Sequence, residues 1–445
     1  MNVKRDTMHD MIFKRNMGIH CGMPSFCTAN GLVIEACLQQ AKRFGDDVLI
    51  EGTANQVNQF GGYTGMRPAD FREHVLAIAD RVSFPRDRVV LGGDHLGPLV
   101  WCNEPESSAM AKAEELVKEF VLAGYKKIHL DTSMRLGDDS RAERLPTRTI
   151  ARRGARLFRA CEEAWRGLLA ENPDEMRPSF VIGSEVPIPG GEQEEQDQIA
   201  ITKPEDLEET IRIYQEEFEE AGLKDAFSAI VAVVVQPGVE FGDENIVRYD
   251  RSQTVALSDA VRKYPGIVLE GHSTDYQSPK QLKEMVEDGI AILKVGPALT
   301  FAAREGLFAL SAMERELVPE KLRSNFPAVL EAAMLSERKS WEVYYQGTEQ
   351  ERYIKRRYSL SDRSRYYFAR PEVQEAIRRL FSNIDSTHIP LGLLHQYMPV
   401  QYIKVRDGHL LRSARELVRD NIVTCIEDYN YATKYNYMIG NVFVG

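Results

Sequence analysis

Val89-Val90-Leu91-Gly92-Gly93-Asp94-His95-Leu96-Gly97-Pro98 is the stretch on which the fold turns. Three apolar residues read as a short buried strand. Two glycines end it, and Asp94 and His95 stand side by side at its C-terminal tip. In α/β proteins ligands bind at that end of the strands, where the loops are free of packing duties. An imidazole beside a carboxylate can hold a metal or move a proton. The same dipeptide also reads as a turn in which the aspartate caps a backbone amide. The rest of the chain decides between the two.

Outward from this stretch a strand-then-helix alternation runs from about residue 18 to about residue 318. Strands are predicted at 18–21, 48–51, 89–93, 127–131, 180–185, 229–236, 267–270 and 291–295. Helices are predicted at 31–44, 68–82, 107–123, 150–171, 204–221, 252–263, 279–287 and 298–317. The strands are near-continuous apolar runs, as expected where both faces of a parallel sheet are covered. Eight such units predict an α/β chain built on one (β/α)8 TIM barrel over 10–318. The rival, an open doubly wound sheet, calls for a glycine-rich fingerprint after the first strand, and none is present. Beyond 318 the alternation stops, and helical spacing rich in aromatics predicts an α-helical C-terminal extension over 319–445.

Charge and cysteine usage narrow the function classes. The net charge of −11 leaves no basic excess to neutralise a polynucleotide, so no nucleic-acid partner is expected. A small anionic substrate needs only a few local cations and stays open. The 6 cysteines form no C-x-x-C pair, which reads as reduced, intracellular thiols. Residues 1–15 mix charges of both signs without an apolar run, so no signal peptide is expected. No stretch approaches membrane-spanning length. The expected location is cytoplasmic.

Collecting the predicted strand tips gives Glu51, Asp94, His95, Asp131, Glu185, Gln236 and the run His272-Ser273-Thr274-Asp275, with Lys294 inside the eighth strand. Any one of these is ordinary. Charged groups at nearly every tip are not, because desolvating each costs several kcal/mol on the order given for unpaired ions. His95, Glu185 and His272 come from alternate strands. Two imidazoles and a carboxylate with open positions suit a catalytic divalent cation, Zn2+ first, Mn2+ or Fe2+ next. Asp94, Glu51 and Asp131 are the candidate bases or supports of that site. Lys294 reads either as support for an oxyanion or as an inward barrel lysine paired with a carboxylate. The chain has no G-x-x-x-x-G-K-[ST] phosphate loop and no protein-kinase motif set. Gly61-Gly62-Tyr63-Thr64-Gly65 reads as a loop over the mouth, and 187–192 as either a second such loop or a turn. The Arg- and Ser-rich stretch 356–367 reads as a phosphate site or as an ion-paired loop.

Six motifs carry a resemblance: 55–65 (NQVNQFGGYTG), 92–98 (GGDHLGP), 183–187 (GSEVP), 235–241 (VQPGVEF), 272–277 (HSTDYQ) and 293–300 (LKVGPALT). With Tyr358-Ser359-Leu360-Ser361-Asp362-Arg363, they resemble the GatZ/KbaZ family over almost the whole chain. The resemblance implies a role in galactitol, tagatose and N-acetylgalactosamine breakdown. Some members are described as the non-catalytic, stabilising subunit of D-tagatose-1,6-bisphosphate aldolase, some carry a tagatose-6-phosphate kinase label, and others resemble a D-tagatose-6-phosphate 4-epimerase. The barrel is also similar to class II metal-dependent aldolases, but Gly271-His272-Ser273-Thr274-Asp275 replaces their glycine-rich phosphate loop. The main expectation is a metal-dependent 4-epimerase that converts D-tagatose 6-phosphate to D-fructose 6-phosphate by retro-aldol cleavage, with Asp94, then Glu51, as base on the C4 hydroxyl. Asn55, Gln56, Gln236, Ser273 and Asp275 are the expected substrate contacts, and Ser361 and Arg363 the expected 6-phosphate contacts. The alternative is the stabilising subunit. The expected partners are a phosphorylated ketohexose, an aldolase catalytic subunit and a second copy of the chain.

Overall fold

The computed structural model describes residues 6–141, 144–184, 199–223 and 225–434. It opens with helix α1 (Thr7–Asn16), followed by β1 (Met23–Cys27), α2 (Gly31–Phe44), β2 (Val48–Thr53), α3 (Pro68–Arg81), β3 (Val89–Leu96), α4 (Glu106–Leu122), β4 (Lys127–Leu130), α5 (Thr147–Glu171), β5 (Ser179–Ile182), α6 (Pro204–Glu220) and β6 (Ile230–Val235). A short hairpin of β7 (Glu240–Phe241) and β8 (Ile246–Val247) precedes α7 (Arg251–Val261). Then come β9 (Val268–Gly271), α8 (Pro279–Glu287), β10 (Ile290–Val295) and α9 (Pro297–Leu317). All strands but β7 and β8 close into one parallel barrel in the order β1-β2-β3-β4-β5-β6-β9-β10. The predicted TIM barrel is what the chain forms. Every residue of β6 is buried, because the barrel interior covers one face of the strand and helices cover the other.

The first strand differs from the expectation at 18–21. That segment is a connector, with Gly18 in the left-handed conformation, and β1 lies five residues further on. A four-residue apolar run is ambiguous by itself. What selects 23–27 is non-local pairing, with Met23 opposite Ile292 and Phe26 opposite Val295. Helix α1 was not predicted. Its Met8, Met11 and Ile12 pack against Leu49, Val231, Val268 and Ile292, so it seals the N-terminal end of the barrel.

After α9 the chain is helical, as expected: α10 (Phe326–Ser336), α11 (Glu349–Tyr358), α12 (Pro371–Asp385), α13 (Leu391–Tyr397), α14 (Pro399–Arg406) and α15 (Ala414–Thr433). Helix α15 packs along α9, α8 and α2, beside the seam where β10 meets β1. One hydrophobic core runs without a break from Phe26 in the barrel to Ala432 at the end of α15. A buried ion pair, Arg304 Nε to Asp362 Oδ1 at 2.8 Å, ties α9 to the turn that follows α11. No helix among the described residues is long and apolar enough to cross a membrane.

Candidate metal centre and cleft

Side chains alternate across a strand, so i and i+2 share a face. In the barrel this rule stacks polar side chains above an apolar base. Glu51 of β2, Lys127 of β4, Glu270 of β9 and Lys294 of β10 form a charged layer and are at most 4% exposed. Lys127 Nζ lies 2.7 Å from Glu51 Oε1 and 2.7 Å from Glu270 Oε2. Lys294 Nζ bonds Glu51 and lies 2.8 Å from Asp94 Oδ1 and 3.8 Å from Glu270 Oε1. Gly92 makes room for this layer, since a Cβ there would sit 2.5 Å from Glu51 Oε1.

Toward the C-terminal end stand three imidazoles: His95 of β3, His129 of β4 and His272, just after β9. Their ring centroids are 4.8 to 5.2 Å apart. Each faces a carboxylate with one nitrogen. His95 Nδ1 is 2.8 Å from Asp131 Oδ2, His129 Nδ1 is 3.0 Å from Asp94 Oδ1, and His272 Nε2 is 3.0 Å from Glu270 Oε1. A carboxylate accepts, so the ring nitrogen facing it donates, and the other nitrogen of each neutral ring keeps its lone pair. This is how histidine ligands are usually braced around a metal. The Nε2 of His129 is buried without a hydrogen-bond partner among the described residues. One ligand atom from each of Asp94, His95, His129 and His272 lies within 4.8 Å of the others. The donor set therefore fits a divalent cation of the kind that accepts three imidazoles.

His95 has a φ of 48°, uncommon for a bulky residue. It is held there by the contact of its Nδ1 with Asp131. Close behind, a Cβ on Gly97 would lie 1.7 Å from the Asp131 carbonyl oxygen, so only glycine lets these two backbones approach.

The electrostatics follow from the pairs. Burial alone pushes the Asp94 carboxyl up, but the Lys294 ammonium and the imidazoles outweigh it and hold it well below the ordinary carboxylate range. Burial likewise opposes ionisation of Asp131, yet its bond and charge interaction with His95 bring it to about 2. Burial pushes His272 down to about 4 against the pull of Glu270, so this ring is neutral at pH 7 and free to ligate. Burial also works against Lys294, and its carboxylate neighbours still keep it firmly charged.

A cleft opens beside this cluster, lined by Asp94, His95, His272 and Lys294 together with Asn55, Gln56, Tyr63, Ser273, Asp275, Arg365 and Tyr366. Several predicted site residues sit elsewhere. Glu51 is buried, is held by its two lysines and does not line the cleft. Asp131 is turned toward His95 and Ser133. Gln236 Oε1 accepts the amides of Gly238 and Val239, which shapes the loop after β6. Ser361 is bonded to Asp243 and Ser359. Arg363 is buried over the Tyr344 ring with its Nε on the Ser340 carbonyl, so Arg365, two residues on, is the arginine of the cleft. Glu185, the third predicted metal ligand, and the 187–192 loop lie outside the described residues.

Sequence reasoning missed His129, Glu270 and Lys127. A signal existed: His129 is two residues before Asp131, and Glu270 two before His272, so each pair shares a face. For Arg365 the signal was its place in the Arg- and Ser-rich stretch 356–367, but a short 3-10 turn between helices has no readable period to separate it from Arg363.

Asp275 has a structural task at the cleft wall. Its Oδ1 accepts the N–H groups of Gly296, at 3.1 Å, and Ala298, at 2.8 Å, at the start of α9. Burial pushes this carboxyl up to about 6 despite those bonds. The folded protein therefore binds this proton more tightly than the unfolded chain. Stability from this group is full below about pH 4, falls as pH rises to about 6, and is flat above. Asp275→Asn keeps the amide acceptor and removes the charge. Its stability relative to the parent is expected to rise by roughly 2–3 kcal/mol across that window, as a two-unit shift implies. Urea titrations of both proteins at pH 4, 5, 6 and 7 check this, and parallel curves would count against it.

Comparison with known proteins agrees with this architecture. The sequence profile of the family described as D-tagatose-1,6-bisphosphate aldolase subunit GatZ/KbaZ-like matches residues 8–434. The D-tagatose-1,6-bisphosphate aldolase subunit GatZ of Salmonella agona (strain SL483) is 44% identical over 424 residues, covering 95% of this chain and 98% of that protein. The protein of the same name from Salmonella heidelberg (strain SL476) matches with the same identity and coverage. Among solved structures, a probable tagatose 6 phosphate kinase from Sinorhizobium meliloti 1021 superposes with a TM-score of 0.84 at 43% identity, covering 93% of this chain and 100% of that one.

Proposed function

The chain belongs to the D-tagatose-1,6-bisphosphate aldolase subunit GatZ/KbaZ-like family, and on that premise we propose that it serves tagatose-phosphate breakdown as a subunit working beside an aldolase catalytic chain. The observation that carries this reading is the near full-length match to proteins named as that subunit. It is the alternative of the sequence reading, and the relatives' names favour it over an independent epimerase. The kinase label of the structural relative finds no support in the residues, since the sequence has no phosphate-binding loop of the nucleotide type. All six cysteines are unpaired, which agrees with a reducing, cytoplasmic setting.

A second reading rests on the cleft. A subunit that only stabilises another chain has no use for three carboxylate-braced imidazoles. In this reading the chain catalyses C4 epimerisation of a ketohexose 6-phosphate. The C4 hydrogen is not acidic, because C4 is not adjacent to the C2 carbonyl. The C4 hydroxyl proton can be removed instead. Asp94 lines the cleft and is held by Lys294 and His129, so it is the group placed to take that proton. The C3–C4 bond pair then moves to C3, leaving an enediolate and an aldehyde. Lys294 supplies fixed positive charge beside the developing oxyanion. Rotation of the aldehyde and re-addition give the epimer, and Asp94 returns the proton. His95, His129 and His272 would hold a divalent cation, Zn2+ before Mn2+ or Fe2+, which would supply Lewis-acid stabilisation of developing negative charge.

One set of assays separates the readings. The purified, Zn2+-supplemented chain alone is incubated with D-tagatose 6-phosphate in D2O, and a tagatose-bisphosphate aldolase chain is assayed with and without it. A longer-lived aldolase in its presence is expected from the subunit reading, and no effect defeats it. Fructose 6-phosphate without deuterium at C4 supports the retro-aldol route. An inert chain, or deuterium at C4, ends it.

A further inference from the structure

Two cations line the cleft among the described residues, Lys294 and Arg365. Lys294 is neutralised by Glu51, Asp94 and Glu270. Arg365 is not. Its Nη1 donates to the carbonyls of Ser361 and Asp362, and its Nη2 to the Tyr366 hydroxyl at 3.0 Å. All three acceptors are neutral, and Arg365 forms no ion pair with a carboxylate among the described residues. The nearby Asp362 carboxylate accepts from Arg304, at 2.8 Å, and Ser364, at 2.8 Å, through its Oδ1. The guanidinium is fixed in place, 4.5 Å from the centre of the Tyr366 ring, which itself packs against Tyr63 at 4.8 Å. A half-buried guanidinium with no carboxylate in bonding reach among the described residues is poorly compensated, and an anionic ligand improves the balance. The positive field is visible on Tyr366: burial raises its hydroxyl, but Arg365 and Arg363 outweigh this and bring it below the ordinary tyrosine value.

The usual phosphate seat of a barrel, the loops after the last two strands with the N-terminus of the following helix, is already filled. Asp275 holds the Gly296 and Ala298 amides at the start of α9 with its own carboxylate. A phosphate arriving there would meet occupied donors and a negative charge.

We propose that Arg365 seats the single phosphate monoester of the cleft's ligand, which makes this a site for a singly phosphorylated sugar and not for a bisphosphate. The proposal rests on the reading that the cleft takes a sugar phosphate. It names the group of the ligand that the C-terminal extension grips in the cleft that His95 and His272 also line.

The test is calorimetric titration of the Zn2+-loaded full chain with D-tagatose 6-phosphate, D-tagatose 1,6-bisphosphate and unphosphorylated D-tagatose. The parent is expected to bind the monophosphate, to bind the bisphosphate no more tightly, and to bind the free sugar far more weakly. Arg365→Met is expected to weaken monophosphate binding about 10- to 100-fold, the range for a hydrogen bond to a charged group. Affinity for the free sugar and the Zn2+ content should stay unchanged, which also certifies that the variant folds. Arg365→Lys keeps the charge without the planar fork and should fall between the two. Equal monophosphate affinity in the parent and Arg365→Met overturns the role of Arg365 and leaves the sugar-phosphate reading standing. Bisphosphate binding tenfold tighter than monophosphate overturns the single seat. A parent that binds neither phosphate overturns both readings together.

Discussion

His129→Ala protein, purified without chelator, is expected to bind a divalent cation at least about 100-fold more weakly than the parent. Removing a group that merely braces a ligand costs 10- to 100-fold in metal affinity, and His129 is itself a donor in the three-imidazole set. His95→Ala and His272→Ala should behave alike, because one ligand atom of each ring lies within 4.8 Å of the others and two imidazoles leave the shell incomplete. Asp131→Asn should weaken binding by the smaller, bracing factor. Its amide still meets His95 Nδ1 but no longer fixes the ring as a donor there. Elemental analysis and competition against a chromophoric chelator measure all four. Glu185→Ala belongs in the same series, since the sequence pattern nominates Glu185 where the described structure offers His129. A full cation complement in His129→Ala together with its loss in Glu185→Ala would restore the sequence-based triad. A parent that takes up no Zn2+, Mn2+ or Fe2+ at all would remove the metal centre from both readings of function.

Lys127→Met is expected to destabilise the protein by about 3–5 kcal/mol, the range for breaking a buried ion pair from one side. Lys127 is fully buried and lies between two fully buried carboxylates, Glu51 and Glu270. Methionine fills similar space and carries no charge. The layer would then hold Glu51, Glu270 and Asp94 against Lys294 alone. The damage reaches the histidines, because Glu270 also orients His272. Adding Glu51→Gln to Lys127→Met should recover part of the loss, since contacting charges are not additive. Urea denaturation of the parent and the three variants gives the cycle. A loss below about 1 kcal/mol for Lys127→Met would mean that the charged layer relaxes or takes up protons in place of the lysine.

Some of this site is written locally. The barrel is legible because a parallel strand covered on both faces must be apolar along its length. Runs such as Ile230–Val235 announce themselves without knowledge of their neighbours. Asp94, His95, His272 and Lys294 are legible because they interrupt or end such runs. A charge there needs a reason. His129 and Glu270 were within reach of the two-residue period, which places them on the faces of Asp131 and His272.

What tertiary structure alone decided is pairing across the closed barrel. Glu51 and Lys294 are 243 residues apart and bonded, and that contact buries Glu51 in the charged layer outside the cleft lining. The first strand was fixed by its partner β10, not by its own composition. Asp275 lines the cleft as expected of a substrate contact, and only the fold adds that its carboxylate also holds the start of α9. Arg365 and Arg363 have the same chemistry two residues apart, and only the way the turn after α11 packs on Tyr344 and Tyr366 sends one into the core and the other to the cleft. Period and composition fix which face a residue shares with its neighbours in sequence. They carry no information on which charge waits opposite that face, because this depends on loop closure between segments hundreds of residues apart.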